Sequence, residues 1–190
     1  MNDKETLRAE MRRIRASLGK RRERSRSICL NAFRLVESSG ESRVLSYLSY
    51  GSEADTAPIN RMIAQSGREL YLPRCVSENE FIAVRWRPGD PLEKGIFGID
   101  EPAGGEEGEC GIALIPLLAF DGNMYRLGQG KGCYDRYLRS RNIIRIGLAF
   151  NRQRAETVFP APHDIPMDYI VTESGVYTAK LPDARKTELE

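Results

Sequence analysis

A glycine-rich stretch at residues 121–138 carries the residue types and the spacing that best suit chemistry. Three glycines alternate with single residues there: Gly128, Gly130 and Gly132. Glycine tolerates positive φ, so such a loop can turn sharply and bring several backbone N–H groups close to one bound group. Arg126 and Lys131 add positive charge beside the glycines. Together these features predict a loop that binds an anion such as phosphate.

The segments around these glycines support the same prediction. An apolar run at residues 112–118 precedes the loop, and residues 134–138 have the character of the first turns of a helix. A strand, a glycine loop and a helix N-terminus in this order bring free N–H groups and the positive end of a helix dipole to a phosphate. Walker A would need Ser or Thr where Gly132 follows Lys131, and the dinucleotide fingerprint would need one more residue between the last two glycines. A flexible turn without a ligand is therefore the alternative.

A second polar loop, at residues 49–58, follows the first predicted strand. It carries three polar side chains of interest: Tyr50, Glu53 and Asp55. Pro58 lies near the first helical position of the helix that should follow. The two acidic residues could simply favour the dipole of that helix. They could instead accept hydrogens from an amine or amide of a substrate.

The N-terminal segment combines an apolar stripe with a basic face. Its apolar residues recur at helical spacing, which predicts an amphipathic helix over residues 4–18: Leu7, Met11, Ile14 and Leu18. Basic residues run beside that stripe about one turn apart: Lys4, Arg8, Arg12 and Arg15. Two of them could clasp a polyphosphate that rests on the glycine loop. The alternative is a basic face that water solvates.

Four apolar runs predict the parallel strands that would position these loops: residues 44–47, 69–73, 112–115 and 143–150. Residues 81–86 alternate apolar and polar side chains, as an antiparallel or edge strand does. Strand, glycine loop, helix and strand in close succession form a βαβ unit with parallel pairing. Ligands of such sheets lie beyond the carboxyl ends of the strands, so the two polar loops can face one pocket.

The predicted fold is therefore α/β. We expect a single domain with an open, mostly parallel sheet and helices on both faces, in a Rossmann-like three-layer arrangement. A further helix is predicted at residues 25–37. Residues 88–111 are rich in glycine and proline and are predicted to form a loop that could cover the site, and residues 180–190 are predicted to form a polar, frayed tail. A chain of 190 residues can bury a full core without metal or disulfide.

Composition and cysteine usage predict a soluble, cytoplasmic protein. The formal charge of +2 is too small to indicate a nucleic-acid partner, and no apolar run approaches a membrane span. The four cysteines are widely separated, which favours reduced thiols over a zinc site. We expect no nucleic-acid or membrane partner, and a monomer or weak homo-oligomer. A nucleic-acid-associated protein that uses the basic N-terminal helices is the alternative from another class.

An ordered set of motifs resembles the 5-formyltetrahydrofolate cyclo-ligases, also called methenyltetrahydrofolate synthetases. The most specific motif is Arg-Leu-Gly-x-Gly-x-Gly-x-Tyr-Asp-Arg at residues 126–136. The others follow the family's order over nearly the whole chain: Lys-x-x-Leu-Arg at 4–8, acidic-x-acidic-Thr-x-Pro at 53–58, Tyr-Leu-Pro-Arg at 71–74, Phe-Gly-Ile-x-Glu-Pro at 97–102, Ile-Gly-Leu-Ala-Phe at 146–150 and Pro-His-Asp-Ile-Pro-Met-Asp at 162–168.

The resemblance implies an ATP-dependent, Mg²⁺-requiring enzyme that converts 5-formyltetrahydrofolate to 5,10-methenyltetrahydrofolate and releases ADP and phosphate. Its ATP-phosphate contacts would be Lys4 and Arg8. Its nucleotide loop would comprise Arg126, Leu127, Gly128, Gln129, Gly130, Lys131, Gly132, Cys133 and Tyr134, with Arg126 and Lys131 as catalytic cations. Its folate contacts would be Tyr50, Glu53 and Asp55, and its Mg²⁺ ligands Asp135 and Asp168.

The implied reaction needs charge neutralisation rather than a protein nucleophile. A formamide oxygen is a poor leaving group, so it would first accept the γ-phosphoryl group of ATP to give an N5-imidate phosphate. Attack by the N10 amine and expulsion of phosphate would then close the ring. Glycine amides, basic side chains and a carboxylate-held Mg²⁺ suit such phosphoryl transfer. Another ATP- or phosphate-using α/β enzyme, phosphosugar- or CoA-transferase-like, is the alternative among enzymes.

Two positions differ from the family's common pattern. Cys133 stands where family members commonly carry an aromatic residue, and Gln129 where they often carry an aromatic residue, Met or Arg. Pterin stacking or phosphate contact could therefore be weaker here. A cysteine near a helix N-terminus and Lys131 can have a lowered pKa, although a small filler is the simpler interpretation. His163 is expected to be a structural hydrogen-bonding residue.

Overall fold

A mixed sheet of seven strands dominates residues 3–179, the part of the chain that the computed structural model describes. The strands are, in chain order, β1 (Arg43–Leu45), β2 (Glu69–Ser77), β3 (Glu80–Arg85), β4 (Leu92–Lys94), β5 (Asp100–Pro102), β6 (Ile112–Pro116), β7 (Ala119–Phe120), β8 (Arg126–Leu127), β9 (Ile144–Leu148), β10 (Tyr169–Thr172) and β11 (Gly175–Thr178). The α-helices are α1 (Asp3–Ser17), α2 (Arg21–Ser38), α3 (Ala57–Gln65) and α4 (Cys133–Leu138). The predicted tail at 180–190 lies outside the described residues.

The sheet is parallel in its centre and antiparallel at both edges. Its strand order is β11-β10-β9-β6-β1-β2-β3. The five central strands pair in parallel, whereas β3 and β11 run antiparallel to their neighbours. The prediction of an open, mostly parallel α/β sheet is therefore confirmed. The crossover from β6 through α4 to β9 is the predicted βαβ unit, and β3 takes the predicted edge position.

Helices cover both faces of the central strands. On β6, Ile112 and Leu114 belong to one apolar core, and Ala113 and Ile115 belong to the other. All four side chains are fully buried. Residues of α2 and α3 complete the first core and residues of α4 the second. Burial on both faces explains why this strand is a continuous apolar run rather than an alternating one.

The amphipathic helix α1 lies on neither face of the sheet. It packs beyond the carboxyl end of β6 against a small hairpin formed by β7 and β8. Its Met11 shares a separate apolar cluster with Leu127 of the hairpin and with Val158. This position carries the basic face of α1 to the edge where the loops of the sheet emerge. Among the described residues, none of the helices is long and apolar enough to cross a bilayer.

The turn between β7 and β8 depends on Asp121. Its Oδ1 accepts the backbone N–H groups of Asn123 at 3.0 Å and Tyr125 at 3.2 Å, and its Oδ2 accepts that of Val158 at 3.2 Å. The carboxylate is buried, and both of its oxygens accept backbone N–H groups. The first part of the glycine-rich stretch is therefore structural, and its cavity-lining residues begin at Arg126.

Two segments extend beyond the predicted elements. β2 continues past Pro73 to Ser77 and pairs with β3 over this length. Proline has no N–H to donate, but the strand tolerates it because β1, the neighbour on the other side, pairs with β2 only as far as Tyr71. Residues 88–111, predicted to be loop, contain the antiparallel β4–β5 pair. β5 lies against β2, where Glu101 Oε2 accepts the Cys75 N–H at 3.1 Å.

Candidate active site

One large cavity opens beyond the carboxyl ends of β1 and β6. Its volume is about 960 Å³. The pockets of single drug-sized ligands occupy about 300–1,000 Å³, so this cavity lies at the upper end of that range. Its walls come from α1, the loop after β1, the glycine loop, the turn between β4 and β5, and the segment before β10. The two polar loops predicted to share a pocket do share it.

The glycine loop needs glycine at two of its three positions. Gly130 has φ of +103° and Gly132 has φ of +71°, whereas Gly128 has no positive φ. A Cβ at Gly130 would lie 3.4 Å from the Arg8 guanidinium carbon. The backbone thus turns tightly under a basic side chain, and α4 starts directly after Gly132.

The basic face of α1 lines the cavity instead of lying in bulk solvent. All four of its predicted cations are in the wall: Lys4, Arg8, Arg12 and Arg15. Arg8 Nε donates to the Gly128 carbonyl at 3.0 Å, and Arg12 Nη2 donates to Gln129 Oε1 at 2.9 Å. Lys4 Nζ pairs with Asp164 Oδ2 at 2.8 Å. These contacts bind α1 to both the glycine loop and the segment before β10.

The cations Arg126 and Lys131 occupy different environments. The Arg126 side chain is only 5% exposed, and its guanidinium donates to Asp135 Oδ1 at 2.8 Å and to the Ile165 carbonyl at 3.0 Å. Lys131 is about half exposed at the rim, where it pairs with Glu78 at 3.2 Å and lies 5.6 Å from the Phe97 ring centroid. Arg126 is therefore a fixed positive charge in the wall, whereas Lys131 stands at the mouth.

The acidic residues of the 49–58 loop have separate roles. Glu53 lines the cavity with its side chain 14% exposed, and its Oε2 accepts the Tyr50 N–H at 3.0 Å. Asp55 is not among the lining residues. Its Oδ1 accepts the Ala57 N–H at 2.9 Å at the start of α3. This contact fits the alternative in which the acidic residue stabilises the following helix. Tyr50 is exposed at the mouth of the cavity.

The structure does not bring Asp135 and Asp168 together at the cavity. Asp135 lines the cavity, and its Oδ1 accepts Arg126 at 2.8 Å and the Ile165 N–H at 3.3 Å. Asp168 is not among the lining residues, and three donors of Arg145 engage its two oxygens at 2.6–2.8 Å. Within residues 3–179, no group of three or more His, Cys, Asp or Glu side chains could hold a metal. Asp135 fits a Mg²⁺ that completes its shell with phosphate oxygens and water, but Asp168 in this arrangement does not.

Aromatic side chains line the same cavity as the cations. Tyr47 at the end of β1, Phe81 of β3 and Tyr134 of α4 all line the cavity. The rings of Phe81 and Tyr134 are tilted, with centroids 5.0 Å apart. The sequence indicated Tyr134 through the glycine motif. Phe81 was missed as a site residue because the alternation of its strand shows only that one face is buried.

The Cys133 thiol is not activated. Burial raises its pKa, and this effect exceeds the opposite effects of the backbone, Arg136 and Lys131. Its Sγ lies 3.8 Å from the Glu78 carbonyl, and the residue is half-buried in the cavity wall. The interpretation of Cys133 as a small filler fits this environment better than that of a reactive thiol.

An open α/β sheet whose large cavity combines fixed cations and glycine amides with aromatic and carboxylate groups is the architecture of an enzyme acting on small molecules. Comparison with known proteins gives the family. The model of the 5-formyltetrahydrofolate cyclo-ligase family matches residues 1–173, and the chain belongs to this family.

Relatives span nearly the whole chain. The 5-formyltetrahydrofolate cyclo-ligase of Haemophilus influenzae is 29% identical over 177 residues, which cover 86% of this chain and 94% of that protein. The solution structure of 5,10-methenyltetrahydrofolate synthetase from Aquifex aeolicus is 32% identical, with a TM-score of 0.82 over 98% of this chain and 96% of the other. The 5,10-methenyltetrahydrofolate synthetase of Mycoplasma pneumoniae shares the fold at 24% identity. Its structure matches with a TM-score of 0.72, and the match covers 90% of this chain and 99% of the other.

Proposed function

We propose that the protein converts 5-formyltetrahydrofolate to 5,10-methenyltetrahydrofolate in an ATP- and Mg²⁺-dependent reaction that releases ADP and phosphate. The observation that carries this proposal is one cavity lined by two unlike sets of groups. Its cations and glycine amides suit a polyphosphate, and its aromatic rings with the Glu53 carboxylate suit a pterin. Family membership favours this activity over a phosphosugar, CoA-transferase-like or nucleic-acid-binding function.

The nucleotide phosphates would bind along α1 and the glycine loop. Lys4 and Arg8 supply positive charge from the helix, and Arg8 is already aligned over the loop by its bond to Gly128. Arg126 is the group best placed to stabilise charge that develops during phosphoryl transfer, since its side chain is buried and oriented by two bonds. A donor that does not have to reorganise stabilises a transition state most effectively.

The folate would bind between the aromatic side chains of the cavity and the 49–58 loop. Glu53 has one oxygen, Oε1, that makes no hydrogen bond within residues 3–179 and can accept an N–H of the pterin ring. Phe81 and Tyr134 offer apolar surface to the ring. Tyr50 at the mouth can cover the substrate from solvent. Asp55 would not contact the folate, because it does not line the cavity and its Oδ1 accepts the Ala57 N–H at the start of α3.

The reaction proceeds in two steps without a protein nucleophile. The N5-formyl oxygen attacks the γ-phosphorus of ATP, ADP leaves, and the formyl carbon becomes an imidate phosphate. The N10 amine then attacks that carbon and loses its proton, the C–O bond breaks, and phosphate departs as the ring closes. The protein contributes position and charge, which are the main demands of phosphoryl transfer.

Asp135 is the side chain that would hold Mg²⁺, together with phosphate oxygens of the nucleotide. The ion would supply neutralisation of the phosphate charge. The prediction that Asp168 also binds the metal lacks support in this geometry, because Asp168 would first have to release Arg145. The four cysteines are free thiols, which supports the further proposal of a cytoplasmic location.

A direct assay tests the proposed function. Purified protein is mixed with Mg-ATP and 5-formyltetrahydrofolate, and absorbance is followed at the methenyltetrahydrofolate band. We expect an increase that requires both ATP and Mg²⁺ and is matched by equimolar ADP. A flat trace from protein that melts cooperatively would falsify the proposal.

A further inference from the structure

A buried arginine lies at the floor of the cavity, close to the carboxylate assigned to folate. Arg15, on the last turn of α1, is only 6% exposed. Its Nε donates to Ser52 Oγ at 3.0 Å, and its Nη1 donates to the Leu117 carbonyl at 3.4 Å. Ser52 belongs to the loop after β1, and Leu117 directly follows β6. Arg15 therefore binds α1 to the two strand exits that form the cavity.

The same guanidinium faces Glu53 without taking up its free oxygen. Nη1 of Arg15 lies 3.8 Å from Oε1 of Glu53, which is an ion-pair distance but too long for a hydrogen bond. The other oxygen, Oε2, is occupied by the Tyr50 N–H. The negative charge is thus balanced while the lone pairs of Oε1 remain available to a ligand.

The other groups that face Glu53 cannot balance its charge. Tyr47 from the end of β1 and Tyr134 from α4 both interact with it, and burial followed by the Glu53 charge raises the pKa of each phenol. Both therefore stay neutral. Burial raises the pKa of the Glu53 carboxyl, whereas the Tyr50 N–H and Arg15 lower it. Among residues 3–179, Arg15 is the basic side chain within ion-pair distance of Glu53.

We propose that Arg15 is the positioning residue of the folate subsite: it fixes the 49–58 loop and balances the Glu53 charge, leaving Oε1 free to accept a substrate N–H. This inference rests on the proposed function and deepens it. Arg15 acts through Glu53 and Ser52 and need not touch the substrate. Arg8 and Arg126, by contrast, lie at the glycine loop, where the phosphates would bind.

The test compares Arg15→Met, Arg15→Lys and the matched control Arg13→Met. Arg13 is exposed on the same helix and does not line the cavity. Initial rates are measured from pH 6 to pH 9 with 5-formyltetrahydrofolate and ATP varied separately, and thermal unfolding is followed for each variant. Removing the positive charge should raise the pKa of Glu53 further, so its anion is lost at a higher pH.

We expect Arg15→Met to raise the KM for 5-formyltetrahydrofolate about tenfold near pH 6 and by much less near pH 9, because an opposite charge at this distance strongly favours the Glu53 anion. The KM for ATP should change little. Arg15→Lys keeps the charge but loses the planar fork, so its KM for folate should rise equally at all pH values. Arg13→Met should match wild type.

Several results would overturn the inference. With active wild type, it fails if Arg15→Met matches Arg13→Met at every pH, or raises both KM values in parallel, as a merely structural role would. If Arg15→Met does not fold, Arg15→Lys decides: a rise confined to the KM for folate supports the inference, and a parallel rise or no rise refutes it. An inactive wild type instead refutes the proposed function and this inference with it.

Discussion

Replacing Asp135 with Asn separates the chemistry of the site from its stability. The change keeps the shape of the side chain and an acceptor oxygen toward Arg126, but it removes the negative charge. A hydrogen bond to a charged group contributes about 1.5–3 kcal/mol and one between neutral groups about 0.5–1.5 kcal/mol. Because the Asp135 side chain is 21% exposed, we expect a stability loss of about 1 kcal/mol. For a domain of this size such a loss lowers Tm by about 2–4 °C.

The effect on turnover should be much larger than the effect on stability. Asp135 orients Arg126 and is the side chain proposed to hold Mg²⁺. Loss of one preorganised electrostatic element typically lowers kcat by about 10²–10³. We therefore expect Asp135→Asn to fold normally and to lose about that factor in kcat, with an increased Mg²⁺ requirement. Initial rates at saturating ATP and folate, titrated with Mg²⁺, measure both quantities.

Asp168→Asn provides the matched comparison. It makes the same chemical change at a carboxylate that binds Arg145 outside the cavity lining. We expect a lower Tm but a kcat within about threefold of wild type, as for substitutions away from a functional site. Equal losses of kcat in both variants, with equal increases in the Mg²⁺ requirement, would refute the reasoning and restore Asp168 as a ligand.

Three further predictions address the remaining walls of the cavity. Glu53→Gln should raise the KM for folate but not the KM for ATP. Since burial raises the pKa of the Glu53 carboxyl, the folate affinity of the wild type should fall as the pH is lowered toward that pKa. The folate affinity of the variant should not change over the same pH range. Gly130→Ala places a Cβ at φ of +103° and 3.4 Å from Arg8, so it should weaken ATP binding and cost about 1–3 kcal/mol of stability, more than Gly128→Ala at an open position, as rates and chemical denaturation can show. Cys133 should react with iodoacetamide more slowly than a free thiol at pH 7 and faster as the pH rises, because burial raises its pKa; mass spectrometry of the labelled peptide would detect the opposite trend.

The architecture was accessible from the sequence because its signals are local. The continuous apolar run of β6 indicated a strand buried on both faces, and the glycine loop after it indicated a crossover at the carboxyl edge. The spacing of basic residues on α1 correctly grouped the side chains that line the cavity. In each case, the signal comes from residues that are close together in the sequence.

The parts that sequence reasoning missed depend on contacts between distant residues. Glu53 and Asp55 are two positions apart and chemically alike, yet the course of the chain after β1 points one into the cavity and leaves the other at the start of α3. Arg145 on the neighbouring strand engages both oxygens of Asp168, a contact that no spacing in the sequence indicates. The β7–β8 hairpin was invisible because two-residue strands have no periodicity.

The attachment of α1 to the far end of the chain has a consequence for synthesis. Lys4 meets Asp164 across a separation of 160 residues, and Arg8 meets Gly128 across 120. The helix leaves the ribosome before these partners, which follow 120 and 160 residues later. A nascent chain released before Asp164 lacks the partner of Lys4 and cannot close the cavity, so enzymatic activity would report that translation has passed the last of these partners.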